Sequence, residues 1–159
     1  MKMEDINKLE RAKKVYQTLC SAIEQRNWKY DKEEDRLFVH FSVSGDDFPM
    51  QFYVFVEVER QLIRLLSPMP FKMSENKRIE GALAACAASC GMIDGSFDYD
   101  LSTGEIYFRT TALFRESEIG EDLFQYMISL SCAMVDKYND KFFAIDKGFL
   151  SINDFIAEE

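Results

Sequence analysis

The hydrophobic residues of this chain change their spacing several times, and the order of the changes restricts the fold more than any other feature of the sequence. Residues 4–26 carry apolar side chains at three- and four-residue steps, which predicts a surface helix. From Trp28 the spacing becomes two, and Gly45-Asp46-Asp47 supplies a turn, which predicts a strand and a hairpin. Residues 48–59 and 61–66 are rich in β-branched and aromatic side chains, so we expect a meander of three or four strands.

The meander is expected to end at Pro68 and Pro70, because proline has no N–H to donate to a neighbouring strand. Ser74 is the predicted N-cap of a second helix over residues 75–90. Gly91 follows that helix and can close it in the left-handed conformation. A helix therefore separates the meander from the rest of the chain.

The last third of the chain predicts a hairpin and two further helices. Residues 97–110 read as two strands around a loop that ends in Gly104, which can take a positive φ. Apolar residues from Ile119 to Tyr138 predict a long third helix that Gly148 ends, and a short helix follows at about 151–157. Strands in sequential groups are typical of an α+β fold with an antiparallel sheet, and we expect one domain over the 159 residues.

The charge distribution limits the class of partner. The formal net charge is -9, and residues 94–159 hold five basic and fourteen acidic side chains, whereas the charges of the preceding part nearly cancel. This excess would repel phosphate backbones and anionic lipid headgroups, so neither nucleic acid nor membrane is an expected partner. The charged N-terminal residues do not resemble a secretory signal, and we expect a cytoplasmic protein.

The sequence predicts no cofactor, metal or catalytic site. His40 is the single histidine and is expected to be an ordinary cross-strand residue. Cys86 and Cys90 share a helix face, but a structural zinc site needs four ligands, and we expect all four cysteines to be small buried side chains without disulfides. Asp98-Tyr99-Asp100 begins like a calcium loop, but Thr103 and Arg109 stand where glycine and glutamate are required.

The second helix has almost no polar stripe, which predicts that both of its sides are covered by protein. One side carries Ile79, Ala82, Leu83, Cys86 and Cys90. The other side carries small residues that let a second backbone approach closely, and these are the candidate dimer or partner contacts: Gly81, Ala84, Ala85 and Ala88. Packing within the monomer and packing against a twin helix of another subunit both account for this pattern.

The segment from Gly81 to Phe114 resembles the YbjN family, chiefly through Cys90-Gly91, residues 95–100 and residues 103–109. The resemblance implies a fold like that of type III secretion chaperones and a homodimeric protein-binding module. The start of the second helix, from Ile79 to Ala82, departs from the asparagine-containing pattern of the family, so the resemblance carries over no functional residue.

These observations favour a non-enzymatic, cytoplasmic homodimer that binds another protein and regulates bacterial signalling or stress responses. Three alternatives stay open at this point. The chain is a type III secretion-type chaperone, or a small-molecule sensor with an apolar pocket, or a thiol-dependent enzyme that joins Cys86 or Cys90 to His40. Reaction with an alkylating reagent separates the last alternative, because a catalytic thiolate reacts quickly at neutral pH.

Overall fold

The structure, a computed structural model, describes residues 3–159, with side chains from Ile6 onward. Within these residues the chain forms four α-helices, six strands and two short 3₁₀ turns at Glu34–Arg36 and Glu75–Lys77. In chain order the main elements are α1 (Met3–Gln25), β1 (Tyr30–Glu33), β2 (Phe38–Ser44), β3 (Pro49–Glu57), β4 (Leu62–Lys72), α2 (Arg78–Ser89), β5 (Ser96–Asp100), β6 (Glu105–Leu113), α3 (Glu121–Lys147) and α4 (Ile152–Glu158).

The strands form one sheet in the order β1-β2-β3-β4-β6-β5, and every neighbouring pair is antiparallel. This confirms the predicted α+β class and the meander, which has four strands. The sheet order departs from the chain order at its far end, because β6 pairs with β4 and leaves β5 at the edge. The second hairpin thus joins the sheet beside β4, and α2 lies in the connection between β4 and β5.

The core lies between one face of the sheet and the helices α1 and α3. Alternate residues along the strands point into it, as the period of two requires. Fully buried members from the strands include Val39, Phe52, Val54, Ile63, Leu65 and Phe108. Leu19 and Ile23 of α1 and Phe124, Ile128 and Phe142 of α3 cover them. The outer face of the sheet carries half-exposed side chains, and none of the described helices lies over it.

The prediction that Pro68 and Pro70 end the meander is wrong, because β4 continues through both prolines to Lys72. The register explains why the sheet tolerates them. Strand β3 pairs with β4 only as far as Leu66, so the second half of β4 has a strand partner on the β6 side alone. Proline is accepted where one side of a strand is free, and the register between Pro68 and Lys72 is also irregular.

The start of the second helix also differs from the prediction. The α-helical part begins at Arg78 after the 3₁₀ turn, and the Ser74 side chain makes no capping hydrogen bond. Instead the Ser74 backbone N–H donates to Asp146 Oδ1 of α3 at 2.6 Å. A carboxylate from a distant helix thus binds the N–H of Ser74 itself and not the first-turn N–H groups that a serine cap would accept.

The predicted hairpin and the last two helices are confirmed. Gly104 closes the β5–β6 loop with φ +78°, and a Cβ there would lie 2.4 Å from the carbonyl oxygen of Met73, so only glycine fits. Gly148 ends α3 with φ +76°. The Ser151 hydroxyl accepts from the Asp154 N–H at 3.1 Å and caps α4. None of the helices in the described part of the chain is long and apolar enough to cross a membrane.

Candidate functional site

The four small residues of α2 face the protein's own sheet. Gly81, Ala84, Ala85 and Ala88 are all buried, and α2 packs mainly against β5. A Cβ at Gly81 would lie 2.6 Å from Met73 Cγ and 2.9 Å from Tyr99 Oη, so glycine permits this close approach. At Gly81 the close neighbours within the monomer are therefore the side chains of Met73 and of Tyr99 in β5, and contact of the four small residues with another chain stays a prediction.

The opposite face of α2 is open to solvent in the monomer, so the coverage of this side by protein stays a prediction. Ile79 is 65% exposed and Leu83 is 48% exposed, and Cys86 and Cys90 are exposed as well. These four residues, which we name the α2 stripe, follow one another at steps of four, three and four. This spacing places them along one side of the helix, as in the seam of a helix pair.

The cysteines differ from the prediction in their burial. Cys86 and Cys90 are exposed, while Cys20 and Cys132 are half-buried, and each of these four thiols is free. Burial raises the pKa of the Cys20 thiol, against hydrogen bonds from Tyr30 and Tyr16 that lower it, and burial likewise raises the pKa of Cys132. A raised pKa keeps these two thiols protonated at neutral pH, which disfavours them as nucleophiles.

His40 lies far along the sheet from α2. Its strand, β2, is separated from β5 and the adjoining α2 by three other strands. His40 Nε2 lies 2.8 Å from Gln51 Oε1, and its ring stacks on Tyr53 with centroids 4.7 Å apart. This is the cross-strand role that the sequence predicted, and the structure does not bring His40 together with Cys86 or Cys90.

The acidic residues of the second hairpin serve the turn itself. Asp98 Oδ2 accepts from Arg109 Nε at 2.6 Å, and Asp100 Oδ1 accepts from the Ser102 N–H at 2.8 Å. Hydrogen bonds from Ser102 hold the pKa of Asp100 below its usual value. Across the residues that the structure describes, no three His, Cys, Asp or Glu side chains are grouped as metal ligands.

The outer face of the sheet forms a second exposed surface, with aromatic side chains along its middle. Phe38 and Phe55 are cross-strand partners with ring centroids 4.8 Å apart. Beside them a cleft of about 350 Å³ lies between Tyr53 and Tyr107, with Pro68 among its lining residues. Apolar floors with tyrosine hydroxyls at the rim suit contact with another polypeptide.

The two edges of the sheet differ. At β5 the backbone N–H of Phe97 donates to the Ser89 hydroxyl of α2 at 2.8 Å, so α2 covers this edge. At the other end β1 pairs with β2 alone. A groove of about 430 Å³ runs between β1 and α1, and Tyr16, Cys20 and Tyr30 contribute to its lining. An uncovered strand edge beside a groove is a geometry that accepts an extended segment.

The sequence predicts the small residues of α2 as the contacts, whereas the large apolar side chains that the structure leaves exposed lie on the opposite side of the helix. The signal for the exposed side was present, because Ile79 and Leu83 are the largest apolar residues of α2 and do not permit the close approach that glycine and alanine do. No local sequence pattern predicts the β1 groove, because the groove combines one face of α1 with the edge of a strand.

The fold and these surfaces can now be compared with known proteins. A family model described as "YbjN: Putative bacterial sensory transduction regulator" matches residues 16–144. The chain belongs to the YbjN family. The match begins in α1 and ends within α3, so it includes the complete sheet and α2. The resemblance noted from the hairpin and the second helix is therefore confirmed over most of this YbjN chain. A search of curated proteins gives no match.

Two solved structures show the same fold as this YbjN protein. A chain of the "Crystal Structure of the ExsC-ExsE Complex" is 15% identical, with a TM-score of 0.58, and the match covers 80% of this chain and 92% of that one. A chain of the "Structure of the HopA1-SchA Chaperone-Effector Complex" is 8% identical, with a TM-score of 0.50, covering 88% and 98%. At these identities the likeness concerns the fold, which is that of type III secretion chaperones.

Proposed function

We propose that this YbjN protein is a non-enzymatic, homodimeric module that binds a segment of another protein and thereby regulates bacterial signalling or stress responses. The observation that carries the proposal is the α2 stripe, an apolar row left in water on an otherwise well-packed helix. A row at steps of four, three and four fits the side of another helix better than it fits solvent. We infer that the α2 stripes of two copies pack against each other.

The size of the stripe sets a limit on this dimer. A helix of 12 residues is about 18 Å long, so a pair of such helices supplies only the centre of an interface of about 1,600 Å². Ile93, which is 94% exposed just beyond α2, is the nearest exposed large apolar residue that follows the helix, and it extends the apolar area. We expect a dimer with a dissociation constant in the micromolar range, since the apolar area is modest.

Light scattering coupled to size-exclusion chromatography tests the dimer with two matched variants. Leu83→Glu places a charge in the stripe, and Leu101→Glu makes the same change at a leucine of similar exposure, 52%, in the β5–β6 loop. We expect Leu83→Glu to elute as a monomer with an unchanged circular dichroism spectrum, while Leu101→Glu stays dimeric. A wild-type chain that is monomeric at 100 μM, or a dimer that both variants retain, would contradict the proposal.

The partner segment is proposed to lie on the surfaces that α2 leaves free, which are the outer sheet face and the β1 groove. Support comes from the fold, because the chains with the same fold belong to complexes of two proteins, one of them described as a chaperone and its effector. The mixed aromatic and polar lining around Tyr53 and Tyr30 is also of the kind found where proteins contact each other.

The same likeness favours a second candidate function, a type III secretion-type chaperone that keeps one secreted protein in an extended state. The two functions differ in what the bound segment does. A chaperone prevents folding or aggregation of its cargo, whereas a regulator changes the affinity of its target for a third protein. Light scattering of an aggregating cargo encoded near this chain, with and without the protein, distinguishes the two functions.

A further inference from the structure

Helix α4 fills a socket of aromatic side chains on the helical side of the protein. Phe155 is fully buried, and its ring centroid lies 6.0 Å from that of Phe142 and 6.4 Å from that of Tyr138. Phe97 of β5 completes the socket, at 5.1 Å from Tyr138 and 5.2 Å from Phe142. We name Phe97, Tyr138 and Phe142 the aromatic socket.

The rim of the socket is positively charged, although this third of the chain is strongly acidic. Lys141 Nζ lies 3.2 Å from Glu158 Oε2 and 3.5 Å from Glu159 Oε1, and it is also 5.8 Å from the ring of Phe155. Tyr138 Oη donates to Glu159 Oε2 at 2.5 Å. In α4 the socket therefore holds an aromatic side chain that carboxylates follow within four residues, through apolar burial and opposite charge.

The family model matches the residues of the aromatic socket but not those of α4. Phe97, Tyr138 and Phe142 lie inside residues 16–144, which the YbjN model matches, and α4 lies outside them. Helix α4 has only seven residues and is joined to α3 through Gly148 and Phe149, which is 84% exposed. A helix of this length does not hold its shape without a surface to pack on, so undocking and unfolding of α4 occur together.

We propose that the aromatic socket is a docking site for a second segment of the partner protein, acidic and with an aromatic anchor, beside the segment on the sheet face and the β1 groove. We propose also that α4 is an internal occupant that competes with this second segment. The proposal rests on the protein-binding role argued above and names the regulation of that role. A tethered segment such as α4 acts at millimolar effective concentration, so it excludes external segments of equal intrinsic affinity. An external segment binds only when it is abundant, or when a second contact of the partner helps it to displace α4.

Fluorescence anisotropy tests this with a labelled peptide of residues 151–159 and the full chain. In the Phe155→Ala chain the internal anchor is lost, and we expect the peptide to bind at least about 10-fold more tightly than to the wild-type chain. A peptide that carries Phe155→Ala should not bind measurably. Adding Lys141→Glu to the Phe155→Ala chain should weaken peptide binding about 10-fold or more, because the carboxylates lose their partner.

A second variant keeps the test decisive if Phe155→Ala fails to fold. Glu158→Lys with Glu159→Lys reverses the charges at the rim and leaves the buried ring in place, and it should also increase peptide binding. Equal peptide binding to wild type and to a folded variant would overturn the proposal. Peptide binding is measured without reference to the α2 dimer, so either proposal can fail alone.

Discussion

Ala84 and Leu83 are neighbours on α2, and the structure predicts opposite consequences for the same substitution at the two positions. Ala84 is fully buried against the sheet, while Leu83 is 48% exposed. We expect Ala84→Glu to unfold the monomer or nearly so, and Leu83→Glu to leave the monomer intact. The comparison decides which face of α2 belongs to the core.

The magnitude at Ala84 follows from two costs. Keeping a glutamate neutral in the core raises its pKa from about 4.3 to above 7, and at about 1.36 kcal/mol per pH unit this costs about 4 kcal/mol at pH 7. Overpacking by the added side-chain atoms costs about 1–3 kcal/mol more. The total, about 5–7 kcal/mol, is comparable with the whole stability of a domain, about 5–15 kcal/mol. An exposed substitution such as Leu83→Glu changes the free energy of unfolding by about 0.5 kcal/mol.

Urea denaturation followed by circular dichroism measures both effects, at a protein concentration where the chains are monomeric. The pH supplies an internal check. The buried glutamate has a raised folded-state pKa, so the ionisation part of its penalty is almost absent below about pH 4.3, where the residue is protonated in both states. This part grows as the pH rises from about 4.3 towards the folded-state pKa. If Ala84→Glu loses less than about 1 kcal/mol at pH 7, α2 does not pack on β5 through its small residues, and the argument for the exposed stripe fails with it.

Two further predictions concern polar groups at α3. Asn139 is fully buried, and among the residues that the structure describes neither of its side-chain amide atoms has a hydrogen-bond partner. Asn139→Leu should therefore raise the free energy of unfolding by about 1–2 kcal/mol in urea denaturation. A loss of more than about 1 kcal/mol would mean that the amide is paired. Burial raises the pKa of Asp146, but hydrogen bonds from Lys147 and the Ser74 N–H outweigh it, so the pKa lies below its usual value. That stabilisation is present above about pH 4 and is lost as the pH falls through the folded-state pKa. Asp146→Asn should therefore lower the free energy of unfolding by about 1–2 kcal/mol at pH 7 and by less at pH 2. An equal decrease in the free energy of unfolding at both pH values would refute the linkage between the Asp146 pKa and stability.

The order and type of the elements could be predicted because each depends on residues close together in the chain. The period of three to four predicts α1 and α3, and the period of two predicts the meander. Gly104 predicts the loop of the second hairpin, at a position that only glycine fits. The family resemblance also depended on such local patterns, and the match over residues 16–144 confirms it. These features need no knowledge of what lies across the core.

The candidate surfaces could not be predicted in the same way. The sequence indicates that α2 is apolar on both sides, but the rest of the chain covers only one of them. The small residues lie on the covered side, where the side chains of Met73 and Tyr99 leave no room for a Cβ atom at Gly81. Pro68 and Pro70 fit inside β4 because β3 ends its pairing at Leu66, which is a property of the register and of no single strand. Local spacing determines which helices and strands form. Which face of a helix is buried, which strand edge stays free and which helix fills the aromatic socket depend on steric competition among elements distant in the chain. Only the tertiary structure decides these three features.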